Sequence, residues 1–173
     1  MRIVPTDALT ERELAALKGM LEEAYGEPFV EDWDHALGGT HFLIEEGGEP
    51  VSHASVVERA LETGGRILRT GYVEAVATRP DRQRRGLGTR VMDAASEFIR
   101  REFELGALGT GEFGFYAPFG WERWRGPTAV RTDSGVVPTP EEDGYIMILR
   151  TAETTDLDQT AQITCEWRLG DVW

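Results

Sequence analysis

Several residue types are scarce in this chain, and each shortage excludes a class of function. Its 173 residues include a single cysteine, Cys165, so no intrachain disulfide can form. No basic residue adjoins Cys165 along the chain, which favours a buried, inert thiol over a nucleophile. The three histidines, His35, His41 and His53, lack the close spacing and the cysteine pair of a zinc site. We therefore predict no metal.

Positive charge is also in short supply. The chain carries 18 Lys and Arg residues against 31 Asp and Glu residues, a net charge of −13. This balance argues against a nucleic-acid partner, because a phosphate backbone requires clustered cations. It favours a cationic small molecule through long-range attraction, although acidity can equally serve solubility or a salt-rich habitat.

Long apolar runs are absent as well. No segment approaches the ~20 apolar residues that span a bilayer, and the first residues lack the apolar core of a secretory signal. No linker, repeat or low-complexity segment divides a chain that is long enough to bury one substantial core. We predict a single domain over residues 1–173, a cytoplasmic location and no membrane partner.

The arginines that are present concentrate in one short segment after an apolar strand. They are Arg79, Arg82, Arg84, Arg85 and Arg90. A helix with apolar residues at helical spacing begins near Leu87. Gly86 and Gly88 would allow a ligand to approach the backbone, and the N–H groups at a helix N-terminus suit a diphosphate. The segment therefore suits a polyphosphate cofactor; the alternative is an ordinary helix start with solvated arginines.

Two well-known phosphate loops do not fit this segment. The Walker pattern needs a lysine after its last glycine, and the only lysine is Lys18. The dinucleotide fingerprint needs three glycines, and only two are present here. The pattern Gln-x-x-Gly-x-Gly from Gln83 to Gly88 instead resembles the acetyl-CoA loop of the GCN5-related N-acetyltransferases (GNATs).

Other segments keep the order of one branch of that superfamily. They cover residues 32–41, 71–77, 105–108, 116–121, 126–128, 139–144 and 165–173. The ending Trp-Arg-Leu-Gly-Asp-Val-Trp at 167–173 is far more specific than the loop. On these segments the chain resembles the aminoglycoside 2′-N-acetyltransferases. The resemblance implies an α/β GNAT fold with a central mixed, mostly antiparallel sheet flanked by helices, and a homodimer. It also implies direct acetyl transfer from acetyl-CoA to the 2′-amine of a cationic aminoglycoside in a ternary complex.

Local patterns predict an element order that agrees with this fold. Thr10 to Glu13 has the pattern of a capping box before a first amphipathic helix. Further helices are predicted at Asp34–Leu37, from Leu87 and at Phe113–Pro118. Strands are predicted at Ile3–Val4, His41–Glu45, Val51–Arg59, Ile67–Thr78, Leu105–Leu108, Trp121–Trp124, Ala129–Arg131, Tyr145–Leu149 and Gln162–Arg168.

The resemblance assigns two catalytic residues. Glu74 lies among apolar strand residues, where an isolated carboxylate is costly, and the family match makes it the general base, acting through water. The alternative is a strand carboxylate satisfied by a neighbouring arginine. Tyr116 matches the tyrosine that protonates the departing thiolate; the alternative is a packing role in an aromatic cluster.

The resemblance also assigns the binding residues. The strand end is expected to bind the pantetheine arm through its backbone, and the loop is expected to bind the diphosphate. These cofactor residues are Val76, Ala77, Thr78, Gln83, Arg84, Arg85, Gly86, Leu87, Gly88 and Thr89. Acidic groups, among them the α-carboxylate of Trp173, are expected to line the acceptor pocket, although each acid alone could be a solvated surface residue. The expected acceptor residues are Glu27, Asp32, Gly109, Thr110, Glu142, Asp171 and Trp173. Relatives often carry a serine where Gly109 stands, and its contact is then lost or passes to Thr110.

Two rival functions stay open at this point. The first is the same chemistry on another amine, such as a kasugamycin-like aminosugar, a polyamine or a mycothiol-type sugar. The second is an acyl-CoA-binding protein without activity. The intact Gln83 loop, Glu74 and Tyr116 count against the second.

Overall fold

The computed structural model describes the backbone of residues 1–28 and 31–173, and the side chains of 1–28 and 33–173. Its helices are α1 Glu11–Tyr25, α2 Glu31–Ala36, α3 Leu87–Glu102 and α4 Phe113–Tyr116. Its strands are β1 Arg2–Pro5, β2 Thr40–Glu46, β3 Glu49–Thr63, β4 Arg66–Thr78, β5 Leu105–Gly109, β6 Glu122–Arg123, β7 Thr128–Thr132, β8 Gly135–Pro138, β9 Ile146–Arg150 and β10 Ile163–Glu166. Short 3₁₀ segments lie at Thr6–Ala8, Pro80–Arg82, Ala117–Phe119 and Pro140–Glu142.

The chain forms two compact units, and β3, β4 and α3 each contribute residues to both. The first unit contains residues 1–57 and 73–95, and the second contains 58–72 and 96–173. The expectation of a single domain over 1–173 is not tested by this division and stays a prediction.

In the first unit, α1 packs its apolar side on the sheet. The predicted capping box is confirmed, because Thr10 Oγ1 accepts from the Glu13 N–H and the Glu13 carboxylate accepts from the Thr10 N–H. Strands β1 and β2 pair antiparallel, as do β2 and β3, and β4 lies next to β3. The buried core of this unit includes Leu17, Leu21 and Leu43.

The second unit contains both parallel strand pairs whose register the structure gives. Strand β4 pairs parallel with β5, and β10 pairs parallel with β7. The pairs β5–β9, β6–β9, β7–β8 and β3–β10 are antiparallel. The expected mixed, mostly antiparallel sheet with helices is therefore confirmed.

The structure differs from the expectations at two places in the region around residues 121–138. Strand β6 covers only Glu122–Arg123, because Trp121 and Trp124 are buried and donate their indole N–H to Ser96 Oγ and the Ala161 carbonyl. Strand β8 was not expected, because all of its residues are exposed and leave no apolar alternation. Within the described residues, no helix has the length and apolar character to cross a bilayer.

Candidate active site

The cofactor loop, residues 79–89, connects β4 to α3. It is held to the strands by the Arg79 N–H, which donates to the Val51 carbonyl at 3.0 Å, and by Gln83 Nε2, which donates to the Thr78 carbonyl at 3.3 Å. Gly86 has a φ of +74° and is exposed, so its glycine is required by the backbone conformation.

The start of α3 fits a diphosphate. The first N–H groups of an α-helix have no intrahelical acceptor, and here they follow the exposed Gly86 in the order Leu87, Gly88 and Thr89. A helix of 16 residues adds its dipole to these donors. The geometry therefore suits the phosphate groups that a coenzyme A carries.

The loop arginines differ in how far their charge is already compensated. Arg82 Nε lies 2.8 Å and Arg85 Nη2 3.2 Å from the Glu46 carboxylate, and this pairing lowers the pKa of Glu46. Arg84 is exposed, has a φ of +58°, and forms no ion pair with the residues that the structure describes. Among the three, Arg84 is thus the cation most available to a ligand.

The end of β4 contains an irregularity that the sequence analysis missed. Ala75 has a φ of +52°, a conformation that costs a non-glycine residue energy and often occurs at functional sites. The predicted base, Glu74, precedes it and is half-buried. The carbonyls along this stretch accept side-chain donors: Ser55 Oγ on Glu74, His53 Nδ1 on Ala75, Tyr25 Oη on Val76 and Ser52 Oγ on Ala77. The polar run Ser52-His53-Ala54-Ser55 inside an apolar strand was the available signal.

Tyr116 lies in the second unit, at the end of α4. Only 8% of it is exposed, and its ring packs edge-on against Phe115 at 4.9 Å and Trp121 at 6.4 Å between centroids. The tyrosine therefore does pack within an aromatic cluster. Its role as general acid stays a prediction.

Gly109 ends β5 and faces the last residue of the chain. A β-carbon built on Gly109 would lie 3.5 Å from the Tyr72 hydroxyl and 4.0 Å from the backbone carbon of Trp173. These are ordinary contacts, so the position has room for a small side chain. In Thr110 the N–H donates to the Tyr145 carbonyl at 2.9 Å, and Oγ1 accepts from the Glu112 N–H at 2.9 Å.

The tail, residues 166–173, is anchored by its final tryptophan. Trp173 is 4% exposed, and its indole N–H donates to Thr139 Oγ1 at 3.0 Å. Its backbone N–H donates to the Asp171 carboxylate at 3.1 Å. Trp173 is therefore anchored in the structure, whereas its contact with the acceptor stays a prediction.

Two arginines bind the backbone of the tail. Arg59, 4% exposed, donates from Nη2 to the carbonyls of Glu166 at 3.0 Å and Val172 at 2.8 Å. Arg168 donates from Nε to the Asp171 carbonyl at 2.7 Å and from Nη2 to the Trp173 carbonyl oxygen at 2.8 Å. Both guanidinium groups lie over the Tyr72 ring, at 4.8 and 5.6 Å from its centroid.

The Glu142 carboxylate of the second unit is influenced by two other carboxylates. Burial, then Asp171 and Glu141, raise the pKa of the half-buried Glu142 above its ordinary value. Like charges held together favour a cationic ligand, which relieves their repulsion. Glu27 is exposed, in the first unit, whereas the side chain of Asp32 lies outside the described part of the chain.

The chain is similar to known proteins in sequence and in fold. Residues 6–124 match the family model described as an acetyltransferase (GNAT) domain. An aminoglycoside 2′-N-acetyltransferase of Mycolicibacterium fortuitum is 43% identical over 177 aligned residues, which cover 99% of this chain and 91% of that protein. The chain belongs to the aminoglycoside 2′-N-acetyltransferases of the GNAT superfamily.

Solved GNAT structures confirm the fold. A GCN5-related N-acetyltransferase from Kribbella flavida has a TM-score of 0.60 at 24% identity; the match covers 73% of this chain and 33% of that longer one. A GNAT acetyltransferase from Brucella melitensis, solved in complex with acetyl-CoA, has a TM-score of 0.55 at 19% identity and covers 70% of this chain and 82% of that one. GNAT acetyltransferases use acetyl-CoA, and the geometry of the cofactor loop fits that cofactor.

Proposed function

We propose that this GNAT enzyme transfers the acetyl group of acetyl-CoA to the 2′-amine of an aminoglycoside, with both substrates bound in a ternary complex. The observation that carries the proposal is the 43% identity with the Mycolicibacterium fortuitum enzyme along 99% of the chain. The repulsion by Asp171 that helps to raise the pKa of Glu142 supports a cationic acceptor independently of that identity.

The cofactor loop and the end of β4 would hold the acetyl donor. Bound acetyl-CoA supplies an activated thioester. The N–H groups from Leu87 to Thr89, at the start of α3, and the exposed Arg84 would bind its diphosphate. The carbonyls of Val76 and Ala77 already accept one side-chain donor each. A carbonyl oxygen has two lone pairs, so each can still accept a donor from the pantetheine arm.

Acetyl transfer requires that the amine lose its proton and the thiolate gain one. We assign the first task to Glu74, acting through water, and the second to Tyr116. A half-buried carboxylate on a strand has few alternative positions, which suits a base that must act at one place. Close packing around Tyr116 similarly restricts the position of its hydroxyl.

The acceptor would be held by carboxylates and by the anchored tail. Glu142 and Asp171 each offer a charge-assisted hydrogen bond to an ammonium group. Trp173 and Arg168 fix the backbone around Asp171. Gly109 and Thr110 complete the proposed set, together with Glu27 and Asp32.

We further propose that the enzyme works in the cytoplasm, where acetyl-CoA is available, as a homodimer. Support for a self-association surface comes from exposed apolar side chains on and near the β8 edge, namely Val136, Val137 and Trp167. Light scattering coupled to size exclusion measures the mass of the particle. A mass of one chain at assay concentration would reject the dimer.

The function is tested by the release of free CoA with a panel of amines. The panel contains aminoglycosides that carry a 2′-amine, matched aminoglycosides that carry a 2′-hydroxyl, a polyamine and a mycothiol-type sugar. We expect turnover only with the 2′-amines, and mass spectrometry should place the acetyl group on that nitrogen. Preference for another amine would support the first rival, and CoA binding without turnover would support the second.

A further inference from the structure

A chain of hydrogen bonds runs from the α2–β2 turn to the backbone of β4, entirely within the first unit. Its links are the Gly38 N–H to Thr6 Oγ1 at 2.9 Å, Thr6 Oγ1 to His41 Nε2 at 2.7 Å, His41 Nδ1 to His53 Nε2 at 2.9 Å, and His53 Nδ1 to the Ala75 carbonyl at 2.7 Å. Both imidazole rings have 0% exposure. The acetyl-transfer roles assigned above leave both histidines unused.

The direction of proton donation is fixed at the β4 end of this chain. A carbonyl oxygen can only accept, so His53 must carry its proton on Nδ1. When both rings are neutral, the Nε2 of His53 accepts from the Nδ1–H of His41. The Nε2 of His41 then accepts the single proton of the Thr6 hydroxyl at 2.7 Å, in preference to the Gly39 carbonyl at 3.2 Å. Burial lowers the pKa of His41 to about 4 and that of His53 to about 3, so both rings are neutral near pH 7.

The carbonyl that ends this series of hydrogen bonds belongs to Ala75, the strained residue of β4. A positive φ at a non-glycine residue costs on the order of 1–3 kcal/mol and persists only where its surroundings fix it. Ala75 has that conformation, is 8% exposed, and follows Glu74 directly. The His53 ring is rigid and fully buried, which makes it a firmer anchor than the serine hydroxyls that bind the neighbouring carbonyls.

We propose that His53 is a positioning residue for acetyl transfer. Its Nδ1–H holds the Ala75 carbonyl and thereby maintains the positive φ of Ala75, which orients Glu74 and the backbone of Val76. The inference rests on the proposed function, in which those groups act on the amine and bind the acetyl donor. A displacement of ~1 Å at such groups can lower the rate by ~10²-fold.

A matched pair of substitutions tests the Nδ1 contact. The side-chain amide of asparagine can donate from near the position of Nδ1, whereas that of glutamine reaches the position of Nε2. We expect His53→Gln to lower kcat by about 10- to 100-fold and His53→Asn to retain most of it. The Kd for CoA, measured by calorimetry, should rise by less than kcat falls in His53→Gln, because the substitution can displace the Val76 backbone but leaves the cofactor loop untouched.

A second substitution tests whether the strained conformation is what His53 maintains. Glycine adopts a positive φ without strain. Ala75→Gly added to His53→Gln should therefore recover part of the lost kcat. Equal kcat for the Asn and Gln variants, or no recovery in the double variant, would overturn the proposal.

A measurement on the unmodified protein keeps the proposal testable if the variants do not fold. Long-range ¹H–¹⁵N correlation spectra distinguish the two neutral imidazole tautomers. We expect His53 to carry its proton on Nδ1, and a proton on Nε2 would overturn the inference. If the unmodified protein releases no CoA with any amine, the proposed function fails, while the tautomer still decides whether the anchor exists.

Discussion

The cofactor loop and the tail both depend on arginine, and they use it in opposite ways. In the loop, Arg84 and Arg85 are exposed, so their charge is presented to solvent and to any ligand. In the tail, Arg59 is 4% exposed and donates to backbone carbonyls. Arg168 likewise donates to the carbonyls of Asp171 and Trp173. One region presents cations, and the other uses cations internally and presents carboxylates.

This difference explains how a chain with a net charge of −13 can bind an anionic and a cationic ligand. The sign of the charge that a region presents to a ligand depends on which of its charged side chains are already bound to its own backbone or to each other. The charge of Arg85 is partly compensated by an ion pair with Glu46. The Asp171 carboxylate, by contrast, is exposed and has one oxygen bound to the Trp173 N–H. Counting charges along the sequence would not have separated these cases.

The largest expected effect comes from Glu74→Gln, which should leave ligand binding by the cofactor loop and by the tail unchanged. The substitution removes the proposed base, so kcat near neutral pH should fall by ~10²–10⁴-fold. Recovery is expected at higher pH, because more of the bound amine is then deprotonated without help. Steady-state rates from pH 6 to 10 measure the effect.

The control for this prediction is the pair of dissociation constants. Calorimetric Kd values for CoA and for the aminoglycoside should stay close to those of the unmodified protein. An unchanged kcat at pH 6 would leave Glu74 with a structural role only.

Features of the cofactor loop were predictable from the sequence because they depend on neighbours in the chain. The strand, the turn and the helix start between Thr78 and Leu87 are set by local patterns, and Gln83 bonds to a carbonyl only five positions away. The capping box at Thr10 is local in the same sense.

The supports of the tail and of β4 could not be predicted, because they join distant segments. Arg59 reaches Val172 over 113 positions and Trp173 reaches Thr139 over 34. The hydrogen bond to the carbonyl of the positive-φ residue Ala75 likewise joins two strands, since His53 lies 22 positions away. The family resemblance singled out the tail residues as a group, but only the fold shows what holds them.

The second prediction is a loss of folding stability at acidic pH, which limits the pH range in which the cofactor loop and the tail can be compared. Because burial lowers the folded-state pKa of His41 and His53 below the ordinary 6.5, the unfolded state binds protons more readily on acidification. The stability contributed by the neutral histidines is therefore fully present well above pH 6.5 and is lost as the pH falls from 6.5 toward the folded-state pKa values of about 4 and about 3. Between pH 6.5 and 5 each histidine should reduce the free energy of unfolding by about 2 kcal/mol.

Urea denaturation at pH 7 and pH 5 measures this loss. The variant His53→Asn should lose about half as much stability on acidification as the unmodified protein, since one of the two buried imidazoles is gone. A pH-independent free energy of unfolding over this range would contradict the neutral, buried histidine pair.

The third prediction concerns the carboxylates of the tail region. Glu142→Gln removes a charge-assisted hydrogen bond to the acceptor, which should cost on the order of 1.5–3 kcal/mol, or roughly ten- to a hundred-fold in aminoglycoside affinity. Because the pKa of Glu142 is raised, binding by the unmodified protein should already weaken under mildly acidic conditions. Glu153→Gln, at an exposed position of the same unit, is the matched control.

The smallest expected effect is at the cofactor loop and compares two adjacent arginines. Arg84 has no ion pair among the described residues, whereas Arg85 shares the Glu46 carboxylate with Arg82. An exposed charge interaction is worth up to ~1 kcal/mol, so Arg84→Gln should raise the KM for acetyl-CoA by about fivefold or less. Arg85→Gln should raise it less, because part of the Arg85 charge is already compensated by Glu46.

Steady-state kinetics at two salt concentrations measure this last difference. The effect of Arg84→Gln should shrink at high salt, because exposed charges are screened, and the KM for the aminoglycoside should not change. Arg101→Gln, another exposed arginine, serves as the control for net charge. A larger increase for Arg85 than for Arg84 would show that the Glu46 pairing breaks when the cofactor binds. The loop would then resemble the tail, with an internal ion pair that determines which charge reaches the ligand.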